Sequence, residues 1–251
     1  MPSLPQRVRT RALVFRRIPY QEASAIYELF TYRLGRLKVL VRGARRPRSR
    51  WVSTLEPFHV VEVVLLRRDT REIQSLSEAR ILQAYPALRT SYERQQAASR
   101  LFDWVRHLVP EDTPAPTLYT LTERTLHLLA LHGPSEALEI AFLLRAVREL
   151  GYPPRLDRCQ RCGHPTPAYL SAAHGGALCS TCARTSDTPV VAVGTKGIQH
   201  LRKLQNLPLS EVFRHPSPDL LGPLLVFLEA LMDLRLPRRR APQSPPGGET
   251  P

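Results

Sequence analysis

The apolar residues of this chain change their spacing once, near Leu82, and that change divides the fold into a sheet-forming part and a helix-forming part. Before Leu82 the spacing is two. Strands are predicted over residues 8–16, 24–31, 36–42, 58–67 and 73–82, separated by turn chemistry at Pro19, Gly35, Gly43, Pro47 and Asp69. Five short strands in that span suit a small closed barrel. Beyond Leu82 the spacing approaches 3.6. A helix is expected over 85–109, with Thr90 and Glu93 at capping-box spacing, and others over 117–132, ending before Gly133, and 135–150, ending at Gly151. Two more, over 195–206 and 218–234, bracket a cysteine-bearing segment. The fold class is therefore α+β: a domain over 1–82, a helical domain over 83–236 with a cysteine module at 157–184, and a tail over 237–251. That tail holds five prolines and two glycines and is expected to be disordered.

Charge separates the same two parts. The chain carries 36 Lys+Arg against 22 Asp+Glu, a formal net charge of +14. Residues 1–80 hold 17 of the cations and 7 of the acids, and between Arg7 and Arg50 there are 13 cations and only two acids, Glu22 and Glu28. Such an excess points to a polyanionic partner, nucleic acid or anionic lipid. With 43% apolar residues a core is available, so wholesale disorder is excluded. A membrane-spanning role is not expected, because the apolar runs at 60–66 and 220–232 each contain a charge and fall short of about 18 residues. Residues 1–10 lack an apolar signal core, so a cytoplasmic location is expected, with cysteines as thiols or metal ligands.

The alternation in the third strand puts Leu37, Val39 and Val41 on one face and Arg36, Lys38 and Arg42 on the other. Arg7, Arg9 and Arg11 repeat the pattern in the first strand. With the arginine-rich loop that follows the third strand, the candidate DNA-contact set is Arg11, Arg33, Arg36, Lys38, Arg42, Arg45, Arg46, Arg48 and Arg50. The plain alternative is a solvated strand face. Tyr20, Tyr27 and Tyr32 are candidate stacking platforms, or else core. Of the 36 cations 33 are Arg, whose planar fork suits phosphate oxygens and exposed bases.

Cys159 and Cys162 form one Cys-x-x-Cys knuckle and Cys179 and Cys182 another, sixteen residues apart. The spacing predicts one structural, tetrahedral Zn²⁺ held by four thiolates, with no open position for water or substrate. A redox dithiol pair, metal-free thiols, or His164 or His174 replacing a sulfur are the alternatives. Phosphate-loop, dinucleotide, nucleophile-elbow and zinc-protease motifs are all missing, and no His-x-Glu precedes either knuckle, so an enzyme is not expected.

The run Phe30-Thr31-Tyr32-Arg33-Leu34-Gly35, continued by Val41-Arg42-Gly43-Ala44-Arg45-Arg46-Pro47-Arg48-Ser49 and Leu55-Glu56-Pro57-Phe58, resembles the bacterial recombination mediator family RecO. So do Leu150-Gly151-Tyr152-Pro153-Pro154-Arg155-Leu156-Asp157-Arg158-Cys159 and Gly175-Gly176-Ala177-Leu178-Cys179. The resemblance implies an OB-fold barrel followed by a helical domain with an inserted zinc module. It further implies binding of single- and double-stranded DNA, annealing of strands coated with single-strand-binding protein, and loading of RecA together with RecR, with RecF a possible further partner. The single-strand-binding protein's acidic, apolar-ended tail is expected in a basic-rimmed groove of the helical domain, with Arg145, Arg148, Arg202 and Lys203 as rim candidates. The competing class is an RNA-binding module of a ribosome-associated factor; a metal-dependent nuclease is a further alternative.

Overall fold

A computed structural model describes residues 5–68, 70–217 and 219–235. The tail expected over 237–251 lies outside the described residues. Five strands, β1 (Gln6–Tyr20), β2 (Ser24–Thr31), β3 (Gly35–Val41), β4 (Val60–Arg67) and β5 (Ile73–Gln83), close into a barrel of order β1-β2-β3-β5-β4. All five expected strands are present within a few residues. Closure is possible because β1 is long and bulged between Val14 and Arg16. Its first half pairs with β4 and its second half with β2, so one strand turns the corner of the barrel. The last seam is a short parallel pairing of Lys38–Leu40 on β3 with Ile73–Ser75 on β5. Val14, Tyr27, Leu29, Leu37, Val39, Val63 and Leu65 fill the interior.

The barrel is also buried on part of its outside. Leu13 and Phe15 on β1 and Phe30 on β2 point away from the barrel core yet are at most 4% exposed. Phe15 stacks on Phe102 at 4.2 Å between ring centroids, Phe58 meets Phe102 at 5.4 Å, and Phe30 meets Tyr119 at 5.5 Å. These partners come from the helices that follow. A short α1 (Arg50–Thr54) precedes β4, and then come α2 (Ala87–Thr90), α3 (Tyr92–Leu108), α4 (Pro116–His132) and α5 (Glu136–Glu149). The single helix expected over 85–109 is thus two. Ser91 adopts an extended conformation, ends α2 and caps α3 by accepting the Arg94 N–H at 3.4 Å, so the cap sits one residue after Thr90. Ser135 caps α5 in the same way through the Leu138 N–H. The barrel, these helices and a 3-10 turn at Leu209–Arg214 form one compact unit, Met1–Pro153 with Leu204–Pro216.

The second unit is Pro154–Lys203 with Ser217–Pro251. It holds a three-stranded sheet of order β7-β6-β8 from β6 (Tyr169–Ser171), β7 (Gly176–Leu178) and β8 (Val190–Ala192), together with α6 (Ser180–Arg184), α7 (Gly194–Asn206) as far as Lys203, and α8 (Leu221–Arg235). Strands of three residues are too short to leave a period in the sequence, and this sheet was not expected. Gly176 is required there, since a Cβ would lie 2.2 Å from the carbonyl oxygen of Arg155. Among the described residues no helix is long and apolar enough to cross a membrane.

Candidate nucleic-acid interface and metal centre

On β3 the expected cationic face is not open. Glu28 on β2 is 2% exposed and accepts from the Arg36 guanidinium at 2.7 Å and from Arg16 at 2.8 Å, with Arg106 of α3 at 3.9 Å. Arg36, itself 9% exposed, also donates through Nε to the carbonyl of Val109 at 2.7 Å. Burial pulls the Arg106 guanidinium below its ordinary value, while Glu28 opposes that shift. The segment after α3 lies along the same strand. Asp112 N–H donates to the carbonyl of Arg36 at 2.8 Å, Glu111 pairs with Lys38 at 2.9 Å, and a Cβ on Gly35 would stand 2.0 Å from the Thr113 carbonyl oxygen. Arg36 is therefore a structural residue and is withdrawn from the DNA-contact set. It cannot reach a phosphate without giving up its bonds to the buried Glu28 carboxylate and to the Val109 carbonyl. Lys38 is half-exposed and already paired.

The loop after β3 differs. Arg42, Arg45, Arg46, Arg48 and Arg50 are all exposed, and among the described residues none of them pairs with a carboxylate. The loop is anchored rather than free. The Arg45 N–H donates to Ala23 O at 3.1 Å and its guanidinium to Gln21 O at 2.9 Å, which fastens it to the β1–β2 hairpin. Gly43 supplies φ +71 at the start of the turn, and Ala44 is fully buried as an apolar plug. Arg50 lies 4.6 Å over the ring of Trp51.

Arg11 and Arg33 sit at the other end of the barrel. Arg11 is ion-paired with Glu123 of α4, and Arg33 is exposed beside the β2–β3 turn. β3 runs from Gly35 to Val41, so that turn and the loop at Arg42 are separated by about 20 Å of strand. The nine candidates thus divide into five at one end, two at the other, and Arg36 and Lys38 engaged between them. Of the candidate stacking residues, Tyr27 is core at 1% exposure, whereas Tyr20 and Tyr32 are exposed.

In the second unit the four sulfurs of Cys159, Cys162, Cys179 and Cys182 all lie within 4.8 Å of one another, and Cys162 and Cys179 are 3.7 Å apart. Four thiolates about 2.3 Å from a tetrahedral Zn²⁺ would be spaced by about 3.8 Å, so the set fits such an ion. Burial works to raise the Cys159 thiol, but backbone N–H groups of Cys179, Cys162 and Arg161 turned toward the sulfur outweigh it and bring it down to about 6. Gly163 closes the first knuckle at φ +76, donating its N–H to Cys159 O at 2.9 Å. His164 and His174 are engaged elsewhere, with Thr166 and with Ser171.

Two family models match the chain: Recombination protein O N terminal over residues 6–85 and Recombination protein O C terminal over 89–241. The chain is similar to the DNA repair protein RecO of Anaeromyxobacter sp. (strain K), 32% identical over 93% of this chain and 95% of the relative. It is also similar to those of Pelotomaculum thermopropionicum, 35% identical over 80% and 78%, and Rubrobacter xylanophilus, 35% identical over 81% and 82%. The chain belongs to the RecO family. It is a RecO-family DNA repair protein with an OB-like five-stranded barrel, a helical part and a cysteine cluster able to hold a metal ion.

A groove rimmed by cations is expected on the helical part of this RecO-family chain, and the structure holds a hollow there. A hollow of about 590 Å³ lies between α4 and the segment leading into the 3-10 turn. Leu121, Leu207 and Leu209 give it apolar walls, and Arg124, Arg145 and Arg148 stand on its margin. Burial first, and then the charge of Arg148, hold the Arg145 guanidinium below its ordinary value; Arg145 donates to the Leu207 carbonyl, and the Glu149 carboxylate lies in the same lining, 3.8 Å from Arg148. Arg145 and Arg148 were expected on such a rim; Arg202 and Lys203 belong to the other unit.

Proposed function

We propose that this RecO-family protein binds DNA through the arginine loop at residues 42–50 and acts as a non-catalytic mediator that brings complementary strands together. The observation that carries this reading is the presence of five exposed arginines in nine residues, held on an anchored loop and, among the described residues, without carboxylate partners. Two strands repel each other through their phosphates. A dense patch of guanidinium groups neutralises that charge, releases condensed counterions and allows base pairing to take over, which requires neither ATP nor a nucleophile. Both single- and double-stranded DNA present the necessary phosphates. In this reading the protein works in the bacterial cytoplasm at the nucleoid, anneals strands coated with single-strand-binding protein, and with RecR, and RecF where present, assists loading of RecA. The tail of single-strand-binding protein, acidic with an apolar end, matches the hollow beside α4: leucines for its end and Arg124, Arg145 and Arg148 for its carboxylates.

The four cysteines hold one Zn²⁺. When bound, it supplies a closed cross-link between two knuckles and no catalytic position. The chain around it has a small core of its own, Leu178 and Ala183 with Tyr169 and Val190, so metal and sheet order one another.

The test combines annealing and binding. Complementary strands precoated with single-strand-binding protein should anneal without ATP and remain full length, and structured RNA should compete poorly with single-stranded DNA. The variant R42E/R46E/R48E, which spares the anchoring Arg45, should keep its fold and lose affinity for every DNA sequence. The slope of log affinity against log salt should fall by about 0.7 for each single-strand phosphate contact removed. An unchanged slope in the folded variant would exclude the loop. Preferential binding of RNA would favour the ribosome-associated reading instead. For the metal, chelation or Cys159→Ser should raise amide exchange between Cys159 and Cys182 and leave DNA binding by the barrel in place. Unaltered exchange after complete metal removal would contradict a structural ion.

A further inference from the structure

We infer that the arginine end of the barrel is built for unpaired bases, with Tyr20 as one stacking platform and the Arg50–Trp51 pair as a second. This rests on the loop at residues 42–50 being the DNA site, and adds to it a preference for single strands.

The register of the sheet places Tyr20 beside the loop. Tyr20 pairs with Ser24 on β2, and Ala25, the next residue of β2, pairs with Val41 on β3, so Tyr20 and Arg42 end two strands on either side of Ser24. At the usual strand spacing they are about 10 Å apart. The hairpin turn that follows Tyr20 is the one to which Arg45 is fastened, through Ala23 O and Gln21 O. Tyr20 is 40% exposed, and its hydroxyl makes no hydrogen bond among the described residues. The other tyrosines differ. Tyr27 is inside the barrel, and Tyr32, at the opposite end, meets the ring of Tyr119 edge-on at 5.7 Å. On the far side of the loop, Trp51 packs against the barrel core while the Arg50 guanidinium lies over its ring at 4.6 Å and is exposed. A planar cation already seated on an indole offers a second flat surface.

Phosphate neutralisation needs only charge, so an exposed ring next to the arginines is surplus to it. A ring can use the face of a base only where that face is uncovered. Inside a duplex both faces of each base are covered by neighbours, whereas in a single strand they are available, and aromatic–base stacking is tolerant of sequence. An acidic peptide would use the guanidinium groups and leave the rings idle. The ligand class that uses both is single-stranded nucleic acid.

Tyr20→Ala, at an exposed hairpin position, should weaken binding of a short oligothymidylate by about tenfold, and leave affinity for a blunt duplex of equal length and the salt slope unchanged. Tyr20→Phe, which keeps the ring, should bind like the parent. In a Trp104→Phe background Trp51 is the sole tryptophan, and oligothymidylate should quench its emission where duplex does not. If Tyr20→Ala binds oligothymidylate normally while R42E/R46E/R48E does not, stacking is overturned and the phosphate site stands. If Tyr20→Ala weakens single strand and duplex equally, its effect is on the loop's shape and the inference is overturned. If neither variant changes binding, the loop itself is not the site and both fail. Emission of Trp51 that is indifferent to saturating oligothymidylate would remove the Arg50–Trp51 platform.

Discussion

Arg36 and Arg45 stand nine positions apart, on the same third of the chain, and have opposite lives. Arg36 is locked between the buried Glu28 carboxylate and the Val109 carbonyl, fixing the barrel to the chain that leaves α3. Arg45 uses its backbone and one edge of its guanidinium to hold a turn, and with its neighbours forms a positive surface that among the described residues pairs with no acid. The difference shows that a count of cations measures neither available charge nor its position. On the strand, burial demands a counter-charge. In the loop, exposure removes that demand, and the charge is left for a ligand.

Four substitutions would break or sharpen this contrast. Glu28→Ala should have the largest effect on stability. It leaves Arg36 charged and buried without its carboxylate, a loss of about 3–5 kcal/mol by urea unfolding. A loss below about 1 kcal/mol would mean that the cluster is not what fastens α3 to the barrel. Gly35→Ala comes next. The added methyl meets the Thr113 carbonyl in a left-handed turn, and about 2 kcal/mol or more should be lost. An unchanged melting temperature would show that the connection between α3 and α4 yields freely. Lys38→Gln removes a half-exposed ion pair with Glu111, so under about 1 kcal/mol should go. The salt dependence of DNA binding should stay as it was, and a flatter slope would return Lys38 to the interface. R42E/R46E/R48E should shift stability least, within about 0.5 kcal/mol, while losing DNA affinity. Loss of fold in that variant would show the loop to be structural like the strand.

Much of this was legible in the residues. Short runs of strand-forming residues bounded by turn residues located all five barrel strands, and alternation marked the ones, such as β3, whose sequence has period two. Ser135, Gly133 and Gly151 marked helix ends through capping and positive φ, and the two knuckles announced a cluster whose sulfurs do converge. The misreading of β3 has a physical source in β2. Its run Ala25-Ile26-Tyr27-Glu28-Leu29-Phe30 is nearly continuous in apolar residues, and every one of the six is buried. A strand apolar on both faces is covered on both faces, and an acid within it must find cations nearby. Phe15, Phe30 and Phe58 were further signs of a barrel with an outer partner. The hollow at α4 was legible only in part: Arg145 and Arg148 were among the expected rim cations, whereas Tyr32, Leu121 and Leu209 are brought beside them only by folding.

By itself the sequence determined the local geometry: which segments extend or coil, where they stop, which cysteines can share an ion, and that the chain needs an anionic partner. These depend on spacings of a few residues, which sterics and backbone hydrogen bonding translate directly. Only the tertiary structure decided which cations remain free, because availability depends on what packs against a side chain from far along the chain. Val109, Glu111 and Thr113 close over β3 from more than seventy positions away. Among the described residues the five arginine side chains of 42–50 stay exposed and pair with no carboxylate, and that is where the charge is left to act.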